Sequence, residues 1–294
     1  MSQSQTFGAT STAEEVTEGI DLRGTTWVVT GCDSGLGYET ARVLALRGGR
    51  IVGLARTAQK AEEALERLGI DGVSVACELS DLASVRRAVQ SVRGVGPLAG
   101  IIANAGIMAL PELRQISGYE AQFFTNHIGH FVLVTGLMDQ LTATGRVVIL
   151  SSAAQRFAKG GLELDNLAGE VDYDAWRMYG RSKLANVLFA RSLATRFAGT
   201  GRTANSVHPG VIETNLGRHV VNADAMYANL RPVMKTVEAG AATQVYVATH
   251  PDLSAVSGLY FSDCAPHDPI EPGTDDALAE TLWVRSEAIA ASLP

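Results

Sequence analysis

Thr30-Gly31-Cys32-Asp33-Ser34-Gly35-Leu36-Gly37 follows directly on the apolar run Trp27-Val28-Val29 and opens into a helical stretch over 38–46. A glycine-rich turn between a strand and a helix lets the backbone pass close to a pyrophosphate, whose charge is met by amide N–H groups at the helix N-terminus. The spacing is G-x-x-x-G-x-G, not the commoner G-x-G-x-x-G, so the place of the turn at the opening of a βαβ unit carries more than its letters. It assigns phosphate-facing positions to Gly31, Ser34, Gly35, Leu36 and Gly37. The bland alternative is an ordinary surface turn.

Working outward, short apolar runs recur at 51–54, 73–75, 101–102, 147–150 and 205–207. Each is too short for a helix and too continuous to be half exposed, as expected of strands buried on both faces. Helix-like segments lie between them, around 37–47, 58–68, 81–93, 119–141, 173–198 and 238–249. That alternation predicts an α/β fold: one Rossmann-like doubly wound parallel sheet flanked by helices, spanning 21–294 as a single domain. Residues 1–20 are rich in Ser, Thr, Gln and Glu and are expected to form a flexible leader. The segment 214–236, with Met226, Tyr227, Leu230 and Met234, breaks the alternation and is expected to be a small lid over a cleft.

A formal charge of −7 argues against nucleic-acid and anionic-membrane partners, which reward basic surfaces. Cys32, Cys77 and Cys264 lack C-x-x-C spacing, so neither a disulfide framework nor a zinc site is indicated. A reducing cytoplasm is the simplest location. The beginning of the chain lacks a charged segment followed by an apolar core, and no stretch approaches the length of a membrane span, so a soluble protein is expected. His127, His130 and His208 have no carboxylate or thiolate company at metal spacing and read as structural.

Two further features point to chemistry. At the end of the second strand an NAD-type site would place a carboxylate, whereas here Ala55 is followed by Arg56 and Thr57. Arg56 can stack on adenine and pair with a 2'-phosphate, which favours NADP(H) over NAD(H). Tyr179 and Lys183 form a Tyr-x-x-x-Lys; four apart on a helix, they share one face, and an ammonium near a phenol favours the phenolate. Trp176, just before the tyrosine, reads as packing.

With these features in order, the chain resembles the short-chain dehydrogenase/reductase family, more closely its retinol-dehydrogenase-like and WW-domain-oxidoreductase-like branch, over about residues 22–265. The likeness also rests on Asn104-Ala105-Gly106 after the fourth strand, Asn126 on the long central helix, Ser152 after the fifth and Pro209-Gly210 after the sixth. It implies an oxidoreductase interconverting a ketone or aldehyde and its alcohol by hydride transfer with NADP(H). Tyr179 would exchange the proton, Lys183 would lower its pKa and bind the nicotinamide ribose, Ser152 would hold the substrate oxygen, and Asn126 would anchor a water relay. Glu78, Leu79, Asn104, Ala105, Gly106, Pro209, Gly210, Ile212 and Thr214 would join the turn, Arg56 and Thr57 in holding the cofactor. Family likeness further implies long central helices that pack two protomers into a homo-oligomer.

Departures from the family pattern are visible. Glu78 stands where the family usually has Asp, and 27 residues separate Ser152 from Tyr179, a longer interval that is expected to wall a hydrophobic, bulky substrate site. WW modules and membrane anchors are missing, so membrane-bound retinoid chemistry does not transfer. A catalytically silent NADP(H)-sensing module is the rival from another class, disfavoured because Tyr179, Lys183, Ser152 and Asn126 are all kept. A nucleotide-sugar epimerase or dehydratase is disfavoured by the glycine spacing and the short C-terminal part.

Overall fold

The computed structural model describes residues 7–293. In chain order the strands are β1 (Thr26–Thr30), β2 (Arg50–Ala55), β3 (Val73–Ala76), β4 (Leu98–Ala103), a small hairpin β5 (Gln115–Ile116) and β6 (Tyr119–Glu120), β7 (Leu141–Leu150), β8 (Thr203–His208), β9 (Tyr260–Ser262) and β10 (Ala265–His267). All but the hairpin join one sheet in the order β10-β9-β8-β7-β4-β1-β2-β3, parallel except for β10 against β9. β1 pairs with β2 on one side and β4 on the other, so the strand order reverses there. Outside the carboxyl ends of strands at such a switch point lies the crevice in which open α/β sheets bind ligands. The turn after β1 and Asn104 after β4 both sit at it.

The helices are α1 (Gly35–Leu46), α2 (Ala58–Arg67), α3 (Leu82–Arg93), α4 (Ala121–Phe123), α5 (Gly129–Leu137), α6 (Ala175–Phe197), α7 (Ala223–Leu230), α8 (Val237–Thr249) and α9 (Asp276–Ser292). Val43 and Leu44 of α1 and Val245 of α8 close one face of the sheet; Val85 of α3, Val134 of α5, Leu188 of α6 and Leu282 of α9 close the other. Thr57, Asp81, Asp174, Thr236 and Asp275 cap α2, α3, α6, α8 and α9, each accepting a bond from a backbone N–H of the first turn.

Two expectations change. The helix predicted over 119–141 begins at Ala121, because Tyr119–Glu120 are paired as β6, and it is interrupted by a π-helical turn over Phe124–Ile128 before β7 starts at Leu141. The leader, from Phe7 on, is seated on the body, while residues 1–6 lie outside the described range. Ala13 and Val16 are buried, Phe7 meets the Tyr246 ring edge-on at 5.6 Å, and Arg42 pairs with Glu14 at 2.6 Å. Arg47 adds bonds to the Glu14 carbonyl and the Thr17 hydroxyl. Two small apolar anchors and two α1 arginines thus order a segment whose composition alone reads as unstructured.

α9, a helix that the sequence pattern does not announce, lies on α6 and next to α5. Trp283 packs 4.9 Å from the Phe131 ring, and the Arg196 guanidinium stacks 3.6 Å over the indole. Arg191 pairs with Asp276 at 2.5 Å, and the Ser192 hydroxyl donates to the Ala279 carbonyl. The chain's own last helix covers this side of α5 and α6.

Between β8 and α8 the chain forms an arch. It leaves at Val211 and returns at Met234, which bridges Val211, and the Lys235 N–H donates to the Val211 carbonyl at 2.8 Å. A Lys235–Asp263 ion pair of 2.5 Å fastens the return to the turn beyond β9. The arch carries a 3-10 turn (Asn215–His219), α7 and a second 3-10 turn (Arg231–Val233).

Candidate active site

Gly31 has φ +69°, a left-handed conformation that glycine adopts without strain. A Cβ on Gly37 would lie 2.1 Å from the Gly31 carbonyl oxygen and 2.6 Å from the Asn104 amide nitrogen. Only glycine lets α1 start this close to the turn, so Gly37 acts beneath the cleft and not on its surface. Asn104 Nδ2 donates to the Thr30 carbonyl, while the N–H groups of Asn104 and Ala105 donate to the Thr30 hydroxyl at 2.9 and 3.0 Å.

That hydroxyl also lies 2.9 Å from His130 Nε2, and His130 Nδ1 lies 3.0 Å from the Asn126 carbonyl. A carbonyl only accepts, so Nδ1 carries the proton and Nε2 receives the Thr30 hydroxyl. Burial pulls His130 down to about 4, with the Lys183 charge adding to it against the opposing bond to Asn126. An unfolded chain takes up this proton near its ordinary 6.5, the native state only near 4. Unfolding therefore binds a proton within that window, and stability falls as the pH drops through it. His130→Gln is expected to flatten the dependence of the urea midpoint on pH between 6.5 and 4 by about one proton; an unchanged slope rejects the neutral assignment.

Asn126 sits in the π turn, a local irregularity often found at functional sites. Its side chain is fully used: Oδ1 accepts from the Ile107 N–H at 2.8 Å, and Nδ2 donates to the Ile107 carbonyl and the Ser182 hydroxyl, both at 2.9 Å. Ser182 in turn donates to the Tyr179 carbonyl, and Ser151 donates to the Lys183 carbonyl at 2.7 Å. The stretch of α6 that carries Tyr179 and Lys183 is thereby clamped to β7 and to the central helix. The backbone that carries the two side chains is therefore fixed relative to the cleft.

Tyr179 is buried, and burial raises its phenol above the ordinary range; a hydrogen bond with Ser152 opposes the rise. Lys183 Nζ donates to the Leu150 carbonyl at 3.2 Å, lies 5.6 Å from the Tyr179 ring centroid, and is pulled down to about 8 by burial. Burial thus favours the protonated phenol of Tyr179, with the Lys183 ammonium standing on the same face of α6. Ser152 caps a 3-10 turn through the Ala154 N–H, and His208 Nδ1 accepts from the Ala153 N–H at 3.1 Å, fixing the backbone beside the serine.

These groups open on one cleft of about 890 Å³. At one end lie Gly31, Ser34, Gly35, Leu36, Arg56, Glu78 and Leu79; Asn104, Ala105, Gly106, Pro209, Gly210, Ile212 and Thr214 line its middle. Beyond Ser152, Tyr179 and Lys183 the wall turns apolar, with Met108, Phe157, Trp176, Val220, Tyr227 and Leu230. Trp176 packs on Tyr179 at 6.3 Å, as expected, and also lines the cleft. Three sequence-predicted residues stand off the surface. Thr57 is spent as the cap of α2, accepting from the Lys60 N–H; Gly37 lies beneath the turn; Asn126 is buried behind Ile107. The Glu78 carboxylate folds back onto Ser80, which donates to it from both N–H and hydroxyl. Sequence reasoning missed Asp33, Arg156 and Arg218, which also line the cleft. Asp33 stood inside the glycine motif and could have been found there, whereas nothing local marks Arg218.

The cleft fits a dinucleotide. A glycine-walled cradle faces the N-terminus of α1, and a Cβ on Gly106 would meet Asn126 Oδ1 at 3.0 Å and Lys183 Nζ at 3.6 Å, so the absence of a side chain there lets those two groups pack against the lining of the cleft. Residues 25–225 match the model of the short chain dehydrogenase family. The chain is 38% identical to the short-chain dehydrogenase TIC 32 B, chloroplastic, of Brassica napus, over 98% of this chain and 95% of that protein. It is 36% identical to human retinol dehydrogenase 14, over 91% of this chain and 87% of that one. Among solved structures, an uncharacterized protein from Mycobacterium Paratuberculosis superposes with a TM-score of 0.75 at 31% identity, covering 94% of this chain and 97% of its own. A blue fluorescent protein from a metagenomic library, crystallised with NADPH, superposes at 0.65 and 26% identity, over 82% and 96%. Motif, fold and whole-length similarity agree, and the chain belongs to the short-chain dehydrogenases.

Proposed function

We propose that the protein is an NADP(H)-dependent oxidoreductase that interconverts a hydrophobic ketone or aldehyde and its alcohol, reducing the carbonyl when NADPH is the donor. The observation that carries the reading is the convergence of Tyr179, Ser152 and Lys183 where the glycine-lined half of the cleft meets its apolar half. A bound nicotinamide dinucleotide supplies or accepts the hydride. The glycine turn and the N-terminus of α1 bind its phosphates, and Lys183 holds the nicotinamide ribose. Ser152 positions the substrate oxygen. The Tyr179 phenol, protonated in the resting site, delivers its proton to that oxygen as the carbonyl becomes an alcohol and recovers one in the reverse direction. Asn126 keeps Ile107 and the Tyr179 backbone in place. The 214–236 segment serves as the lid, covering the apolar half where a bulky substrate would lie.

Arg56 at the end of β2, where an NAD-type site would carry a carboxylate, supports NADP(H), as does the NADPH held by the 26%-identical neighbour. Among the described residues no helix is long and apolar enough to cross a membrane. Three buried free thiols suit a reducing cytoplasm. The direct test is a turnover screen with NADPH and NADP+ against aliphatic and aromatic carbonyls and alcohols. Oxidation or reduction of none of them, with the cofactor still bound, would favour the silent sensing module. Arg56→Ala is expected to cut the preference for NADP+ over NAD+, in kcat/KM, by about tenfold; an unchanged preference removes Arg56 from the discrimination.

A further inference from the structure

The adenosine end of the cleft holds a charge arrangement that the family motifs do not describe. Arg56 reaches it from β2, Asp33 from the glycine turn, and Arg218 from the other side, on the 3-10 turn Asn215–His219 of the arch. This first limb of the arch lies directly over the turn: a Cβ on Gly35 would touch Thr214 at 3.3 Å. The 3-10 turn is braced from behind by Tyr227, whose phenol leaves no room for a side chain on Gly217. Arg218 donates Nη1 to the Asn215 carbonyl of its own turn, and among the described residues neither Arg218 nor Arg56 has a carboxylate within ion-pair distance. Two guanidinium groups therefore face one ligand space in which the carboxylates are Asp33 and Glu78, the latter folded back onto Ser80. Like charges brought together without partners are unfavourable unless an anion joins them. The charge on Arg218 is disfavoured in the same sense, first by the buried part of its side chain and then by Arg56, with Asp33 opposing.

We propose that Arg218 is a second reader of the adenosine 2'-phosphate, borne on the arch, so that closure of the arch over the cofactor depends on that phosphate. The proposal rests on the NADP(H) reading above. A phosphate between Arg56 and Arg218 can take a bidentate fork from each wall, which the compact ammonium of a lysine could not reproduce. The pyrophosphate is a poorer partner, because it belongs at the N-terminus of α1, whereas the charges that act on Arg218 are those of Arg56 and Asp33. With NAD(H), the ribose hydroxyls would leave the two arginines without an anion to join them, since neither has a carboxylate within ion-pair distance among the described residues. Binding of the phosphorylated cofactor thereby joins the arch to the body, and the same arch walls the apolar substrate half through Val220, Tyr227 and Leu230.

Calorimetric titration with adenosine 2',5'-bisphosphate and with 5'-AMP isolates this end of the site, and NADPH and NADH repeat the comparison on whole cofactors. In Arg218→Gln, affinity for the bisphosphate and NADPH is expected to fall about tenfold or more, with 5'-AMP and NADH little changed. Arg218→Lys should recover part of the loss. Chymotryptic cleavage in the arch, at Tyr227, should be slowed by NADPH more than by NADH in the parent and by both alike in Arg218→Gln. Arg218 is exposed, so these variants should fold. A parent that binds the bisphosphate no better than 5'-AMP overturns the NADP(H) reading and this proposal together. A parent that discriminates, with Arg56→Ala losing the discrimination and Arg218→Gln keeping it, leaves the reading standing and overturns the proposal alone. Equal loss of NADPH and NADH in Arg218→Gln also overturns it, placing the residue on the pyrophosphate.

Discussion

Replacing Tyr179 with phenylalanine is expected to lower kcat by roughly 10²–10⁴-fold, the range in which a positioned acid or base contributes, while NADPH still binds. The phenylalanine ring keeps the packing against Trp176, Met108 and Ala109, so the wall of the cleft survives the change. What disappears is the hydroxyl that meets Ser152 and the substrate oxygen. Because the lost interaction acts in the chemical step, kcat and kcat/KM should fall together with little change in substrate KM. Steady-state rates and a fluorescence titration of NADPH on the same preparation check both halves of the expectation. The direction of the pKa adds a second sign. A phenol raised by burial stays protonated through the neutral and mildly alkaline range, so carbonyl reduction should hold its rate there, whereas alcohol oxidation, which needs the phenolate, should climb with pH. Activity of Tyr179→Phe within tenfold of the parent would leave Tyr179 as a packing residue.

The parts of the fold legible in the sequence were those whose signal is local. The six apolar runs are six strands of the sheet, because strands buried on both faces show as continuous hydrophobic segments. The glycines of 31–37 announce their turn because backbone geometry admits little else. Long-range effects were invisible. Residues 7–20 order themselves on Arg42 and Arg47 of α1, which are distant in sequence; β9 and β10 are only three residues each; and the π turn at Asn126 interrupts a pattern that reads as one helix. For the site, Tyr179, Lys183, Ser152 and the glycine turn, far apart along the chain, line one cleft, whereas burial could not be read from the sequence. Burial raises the Tyr179 phenol, and the Thr57 hydroxyl, read as facing the cofactor, also caps α2. Arg218 escaped notice because an arginine on an irregular segment carries no pattern; its meaning comes from Arg56, which only the fold brings opposite.

The C-terminal helix went unread for a related reason, and it leads to the largest stability effect expected of a single change away from the cleft. α9 buries Ala279, Leu282, Trp283, Ser286 and Ile289, a stripe of mixed size and polarity with weak amphipathic contrast. Trp283 is its anchor: the indole packs against Phe131 at 4.9 Å and Phe189 at 5.9 Å, and Arg196 covers it from α6. Trp283→Ala removes a large buried ring that its rigid neighbours cannot replace, at about 3–5 kcal/mol, and strips Arg196 of a cation–π contact of about 1 kcal/mol. Urea unfolding should register that loss, with Trp283→Phe retaining most of the stability, since phenylalanine refills the aromatic cluster. Loosening α9 also uncovers Phe131 and Phe189, the side of the long helices on which family likeness places a protomer contact. Size-exclusion chromatography of Trp283→Ala should then show concentration-dependent self-association beyond that of the parent run alongside it. A loss below 1 kcal/mol, with an unchanged elution volume, would mean that α9 is held by its ion pairs to Arg191 and Arg196 and that the indole is incidental.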